Sequence, residues 1–216
     1  GALDGVSGSN VTVVYNGKNV DIETFIENYA EDYLLGTGES AIRKLAFTYK
    51  VGEDTVTEHK NVKTYTVLVA PAGNFEWKNG ADEESKREAV SFTIQITPRV
   101  VEILWTNLSA VYGTAATTET EILNKCDGDN IHADIAYYAG KGQTSGTVVE
   151  PSNAGFYTAF ADVLKNNAEG NYTLNGHKDY ITVSGSNQLV ATVDYLVEKQ
   201  SVKHTDKVVF DGQFNG

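Results

Sequence analysis

The chain contains one cysteine, Cys126, so it can form no internal disulfide, which excludes the class of small disulfide-stapled domains. That scarcity does not force a reducing compartment, because exported domains with large enough cores fold without disulfides. No histidine or second cysteine stands at ligand spacing from Cys126, which is therefore expected to be a small core or turn residue rather than a nucleophile. No apolar run approaches the roughly 20 residues needed to span a bilayer, so these residues are not expected to insert in a membrane. The four histidines, His59, His132, His177 and His204, are scattered without metal-ligand spacing. A nucleophile elbow, a phosphate-binding loop and a dinucleotide fingerprint are all missing, and no enzymatic activity or cofactor is expected. The amino terminus, Gly1-Ala2-Leu3-Asp4-Gly5, has neither a basic segment followed by an apolar one nor a starting Met, and reads as a mature or excised fragment.

What is present points to strands. The 216 residues suit one large domain or two of about 100 residues each. Twenty Gly, twelve Tyr and eight Phe accompany many Val and Thr but only three Pro, a balance that favours β-structure. A formal charge of −12 disfavours nucleic acid and anionic membranes as partners, since both require a positive footprint.

Landmarks recur in order along the chain. Val13-Val14-Tyr15-Asn16-Gly17 is answered 97 residues later by Ala110-Val111-Tyr112-Gly113. Asn61 to Val67, with its Tyr65-Thr66 centre, is answered 92 residues later by Asn153 to Ala159, centred on Tyr157-Thr158. Gly73-Asn74-Phe75 is matched by Gly170-Asn171-Tyr172, and Ser91-Phe92-Thr93-Ile94 is paired with Asp179-Tyr180-Ile181-Thr182 as a closing strand. The opening motif returns as Val208-Val209-Phe210-Asp211-Gly212, the start of a third unit. Such spacing predicts a tandem repeat. Phe92, Ile94 and Ile96 alternate with polar residues, and Tyr65, Val67 and Val69 do so more weakly, as strands with one buried face require. Asn16-Gly17 and Asn79-Gly80 offer the positive-φ positions of tight turns. Pro98 stiffens the junction between units.

Two segments read as helix. Ile22, Phe25, Ile26, Tyr29, Tyr33 and Leu34 recur at helical spacing, with Asp21 as N-cap and Gly36 as terminator, predicting a helix near 22–35. A shorter candidate covers Phe160 to Asn167. The expected organisation is a first β-rich unit over 1–98 with the added helix, a second over 99–184, and a terminal strand or linker over 185–216. The fold class is mostly β, two tandem sandwich-like (Ig-like) domains, with a β-grasp-like sheet on the helix as the alternative for the first.

These landmarks, above all Trp105-Thr106-Asn107-Leu108, Tyr112-Gly113, Asp127-Gly128-Asp129, Asn153 to Ala159, Asn171 to Leu174 and Tyr180-Ile181, resemble those of MBG/YDG-type extracellular repeats of bacterial cell-surface proteins. The first unit departs from that pattern at Lys63, at Phe75 and in its helix. The resemblance implies a non-catalytic spacer or adhesive module, extracellular and attached to the cell wall through other parts, with a host glycan or extracellular protein as the alternative partner. A monomer is expected.

Two sets of residues carry candidate chemistry. Trp77 and Trp105 are the natural platforms for stacking a sugar, although core packing is the simpler role for each. Asp127, Asp129, Asn130 and Asp134 form the one dense oxygen cluster and are the calcium candidates. The segment lacks the glycine and distal glutamate of an EF-hand loop, so a solvated Asp-Gly turn is the preferred reading.

Overall fold

A computed structural model of the chain describes residues 9–165, 167, 169–174, 180–182 and 189–202. The chain is mostly β, with several sheets and one short α-helix among the described residues. The third opening motif at 208–212, with His177 and His204, lies outside them.

In chain order the first half contains β1 (Asn10–Val14), α1 (Tyr29–Asp32), β2 (Leu34–Leu35), β3 (Ile42–Arg43), β4 (Leu45–Val51), β5 (Asp54–Val56), β6 (Thr64–Pro71) and β7 (Val90–Thr97). The second half contains β8 (Arg99–Thr106), β9 (Ser109–Val111), β10 (Glu119–Leu123), β11 (His132–Ala139), β12 (Gly155–Lys165), β13 (Tyr172–Leu174), β14 (Tyr180–Thr182) and β15 (Leu189–Glu198). Pro98 alone separates β7 from β8.

The first half builds a five-stranded sheet in the order β1-β7-β6-β4-β5, with β1 parallel to β7 and the other pairs antiparallel. Its period-two patterns behave as read: Tyr65, Val67, Val69, Phe92, Ile94 and Ile96 are all buried. The second half repeats that order. There β9 runs parallel to β15, β15 antiparallel to β12, β12 antiparallel to β11, and Val148 bridges antiparallel to Tyr138 of β11. The registers agree as well. Tyr65 stands opposite Ile94 as Tyr157 stands opposite Tyr195, and the Tyr15 N–H donates to the Thr97 carbonyl (2.9 Å) as the Tyr112 N–H does to Glu198 (2.8 Å). The second half adds a sheet of order β10-β8-β13. Val101 and Ile103 of that sheet belong to one apolar cluster that takes in Ala161 and Ala191 of the larger one and continues into the core of the first half.

Four expectations need correction. The segment near 22–35 is not one helix but a 3₁₀ turn over Ile22–Phe25 and a single α turn over Tyr29–Asp32. Asp21 does cap it, accepting from the Glu23 N–H at 3.1 Å, but Ile26 is extended and Asn28 is left-handed at φ 55°. Short helices built from aromatic and β-branched residues are marginal on their own, and here burial of Ile22, Ile26 and Tyr29 is met by two turns. The candidate helix at 160–167 is instead largely strand β12, because β11 and β15 pair with it on both edges and override its helical spacing. The closing strand equivalent to β7 is β15, not β14: β15 pairs with β12 as β7 pairs with β6. Gly80 also differs: its φ is not positive, and an added Cβ would lie 2.6 Å from the Lys86 backbone, so close approach excludes a side chain there.

Candidate functional site: the joint between the halves

Among the described residues, a network of side-chain hydrogen bonds joins the two halves. Asp129 sits in the turn Asp127-Gly128-Asp129, where Gly128 takes φ 86° and the Asp129 N–H closes on the Cys126 carbonyl at 3.2 Å. The turn aims the Asp129 carboxylate at the other half, where Oδ2 accepts the Tyr15 hydroxyl at 2.8 Å. The same oxygen accepts the hydroxyl of Tyr172, from the head of β13. The two rings meet edge to face with centroids 5.3 Å apart, a favourable arrangement for aromatic quadrupoles. The Tyr172 oxygen also receives the Cys126 N–H at 2.9 Å. Burial, reinforced by the bond to Asp129, pushes both hydroxyls well above the ordinary tyrosine range.

Backbone geometry makes room for this contact. Gly17 has φ 77°, and a Cβ placed on it would lie 3.2 Å from the Cβ of Cys126. Any side chain at 17 would therefore face both strain and crowding. Cys126 is buried and free, a small core residue as expected.

A second layer surrounds the first. Asn171 accepts the Val62 N–H at 2.8 Å and donates to the Asn61 side chain at 2.9 Å. Buried Asn167 holds Tyr172 through its backbone, donating to the carbonyl at 3.0 Å and accepting the N–H at 2.9 Å. The Arg99 N–H donates to the Asn171 carbonyl at 2.9 Å, and Lys63 reaches Glu169 at 3.2 Å. That last pair is half exposed and contributes at most about 1 kcal/mol. A small cavity of about 170 Å³ remains beside Tyr15, Asp129, Asn167 and Tyr172.

Neither Asp127 nor Asp134 joins Asp129 here. Asp127 is exposed in the turn, and Asp134 lies on β11 with its carboxylate 3.7 Å from His132. Among the described residues, no group of three or more His, Cys, Asp or Glu is placed to hold a metal ion. His59 is half-buried and stacked on Tyr49 at 3.6 Å, and burial lowers its pKa.

The chain matches no family model and no curated protein.

The two tryptophans occupy different places. Trp105 is half-buried on β8 and packs against the large apolar cluster that both halves share and against the smaller one around Tyr157 and Tyr195. Trp77 is half-buried in the connection between β6 and β7, its indole N–H fixed on the Glu88 carbonyl at 2.8 Å. Together with Tyr33, Phe75, Pro71 and Lys44 it lines a groove of about 680 Å³. Tyr15, Asp129 and Tyr172 were not singled out by sequence as one site. Tyr15 and Tyr172 stood in landmarks and Asp129 in the acidic cluster, but nothing local couples positions 114 residues apart.

Proposed function

We propose that this chain is a non-catalytic structural module of a bacterial cell-surface protein, in which two sandwich-like units follow each other as a stiff spacer. The observation that carries this reading is the joint: one carboxylate ties Tyr15 of the first half to Tyr172 of the second, across a one-residue link at Pro98. A flexible linker would leave the halves free to reorient, whereas buried hydrogen bonds and a fixed proline disfavour it. The repeated strand order and the likeness of the sequence landmarks to MBG/YDG-type repeats support an extracellular rod of successive units. Spin labels at exposed Glu53 and Lys141 test it. One narrow distance distribution is expected for the full chain; a broad one would sink the stiff-spacer reading.

A second reading has its own observation. The groove at Trp77 offers an aromatic face framed by polar side chains, the chemistry that stacks and orients a sugar ring or a partner's side chain. Titration with host glycans should quench Trp77 fluorescence and lose its signal in Trp77→Ala but not in Trp105→Phe. No response to any glycan or extracellular matrix protein removes this reading.

A further inference from the structure

The exit end of the second half carries the surface on which the first half seats its neighbour, and there its central tyrosine, Tyr112, is half-exposed. Three features place the two ends in correspondence. The parallel pairs β1/β7 and β9/β15 end on the same bond, from the N–H of Tyr15 or Tyr112 to the carbonyl of Thr97 or Glu198. The hydroxyl of Tyr65 closes on the Asn61 carbonyl at 3.0 Å, as that of Tyr157 does on Asn153 at 2.8 Å. The chain leaves both halves at this end, immediately after Thr97 in one and after Glu198 in the other.

Coverage is where the ends differ. Tyr15 is 4% exposed, and Asn61 and Val62 are engaged by Asn171. Tyr112 is 49% exposed, and Asn153 and Ala154 also face outward, whereas Val111 and Phe156 are exposed just as their counterparts Val14 and Thr64 are. A Cβ on Gly113 would meet nothing within 4 Å, whereas one on Gly17 would crowd Cys126. Gly113 stands one place earlier in its turn than Gly17, so the fit at that point is not identical. An aromatic ring exposed where its counterpart is buried against a neighbour marks an interaction surface.

We propose that this end, centred on Tyr112 with Asn153 and Ala154, is the docking face for a further unit built like the second half, joined through the segment that leaves Glu198. Such a unit presents an aspartate carboxylate to the Tyr112 hydroxyl, as Asp129 does to Tyr15, and an asparagine side chain to Asn153 and Ala154, as Asn171 does to Asn61 and Val62. Sequence supports the covalent route: Val208-Val209-Phe210-Asp211-Gly212 follows Glu198 much as Ala110-Val111-Tyr112-Gly113 follows Thr97. The inference rests on the tandem reading above and names the occupant of its next joint.

The test duplicates residues 98–198 in tandem within the full chain, so that a proline and a second copy of β8 follow Glu198 directly. Tyr112 of the final copy is replaced by Phe, leaving one tyrosine at that position to report. Nitration of that tyrosine, followed by mass spectrometry, should fall from its level in the unduplicated chain to that of buried Tyr15. Asp129→Ala in the final copy alone should restore it. Reactivity as high as in the unduplicated chain overturns the proposal. So does a final copy that stays unfolded and protease-sensitive, because the docking face is then not accepted by a unit of this build. Self-association of the unduplicated chain that Tyr112→Ala abolishes would assign the face to a second molecule and overturn it too. A narrow label distance in the unduplicated chain, combined with a still reactive Tyr112, would leave the stiff-spacer reading standing and remove this inference alone.

Discussion

Tyr15 and Tyr112 occupy the same place in two copies of one strand arrangement, yet one is buried and the other half-exposed. The contrast separates what the fold needs from what the joint needs. Each residue directly follows a strand parallel to the closing strand of its sheet and extends that pairing by one backbone bond, a role complete in both. Only Tyr15 has its ring and hydroxyl taken up, by Tyr172 and Asp129 of the neighbouring half. The aromatic side chain at this position therefore serves the contact between units more than the unit that carries it. The insertions tell the same story from the opposite side. The first half places two helical turns between β1 and β4, and the second places β13 and β14 between β12 and β15, while the shared strand order survives both.

The sharpest way to break this comparison is to remove both rings. Tyr15→Ala should cost about 3–5 kcal/mol, as aromatic truncations in packed sites do. Tyr112→Ala should stay within about 0.5 kcal/mol of the parent, as exposed substitutions do. Urea unfolding of the two variants measures both, and equal losses would erase the distinction between a covered and an uncovered end. Asp129→Ala comes next. It strips the acceptor from two buried hydroxyls, and each orphaned donor costs about 1–3 kcal/mol, not additively. If the joint holds the halves together, this variant also broadens the distance between labels at 53 and 141 without unfolding either half.

The same network sets a limit at high pH. Burial, and then the bond to Asp129, raise the ionisation of Tyr15 and Tyr172, and burial likewise raises Tyr29 and Tyr49 to about 12. Unfolded tyrosines release their protons near pH 10 while the folded ones retain them. The stabilisation is thus complete below about pH 10 and is lost as pH rises above it. Melting temperatures between pH 9 and pH 11 should fall, and fall less in the Tyr15→Phe, Tyr172→Phe double variant. An unchanged alkaline slope would place the loss elsewhere.

Legibility from sequence follows the range of the interaction. Alternation in Phe92-Thr93-Ile94-Gln95-Ile96 and in Tyr65 to Val69 is local, and it named two strands with their buried faces. The Tyr65 and Tyr157 landmarks were legible because each tyrosine bonds to a carbonyl only four residues back. Helical spacing at Ile22, Ile26 and Tyr29 did locate the residues that reach the core, but periodicity cannot tell one helix from two turns broken at Asn28. At 160–165 the spacing misled, since pairing on both edges of β12 is not visible along the chain. Tyr180-Ile181-Thr182 imitated a closing strand and sits against β15, which fills that role. Asp129 looked like a solvated turn residue because its partners Tyr15 and Tyr172 lie 114 and 43 positions away.

The smallest expected effect tests whether the halves are one design used twice. Tyr65 and Tyr157 are both buried on the strand next to the closing one, and each donates its hydroxyl to the carbonyl of an asparagine four residues earlier. Replacing either with Phe removes one neutral hydrogen bond and no ring, a loss of about 1 kcal/mol. The surroundings differ: Tyr65 faces Ile94 across the sheet, and Tyr157 faces Tyr195. The Tyr157 oxygen additionally receives the Asn153 N–H at 3.2 Å, an acceptor role that Phe also removes. Tyr157→Phe should therefore cost slightly more than Tyr65→Phe, with both well below Tyr15→Ala. Chemical denaturation with matched m-values gives the two numbers directly. A neutral Tyr65→Phe beside a costly Tyr157→Phe would show that the shared bond stabilises only one copy, and that its recurrence reflects common pattern without common energetics.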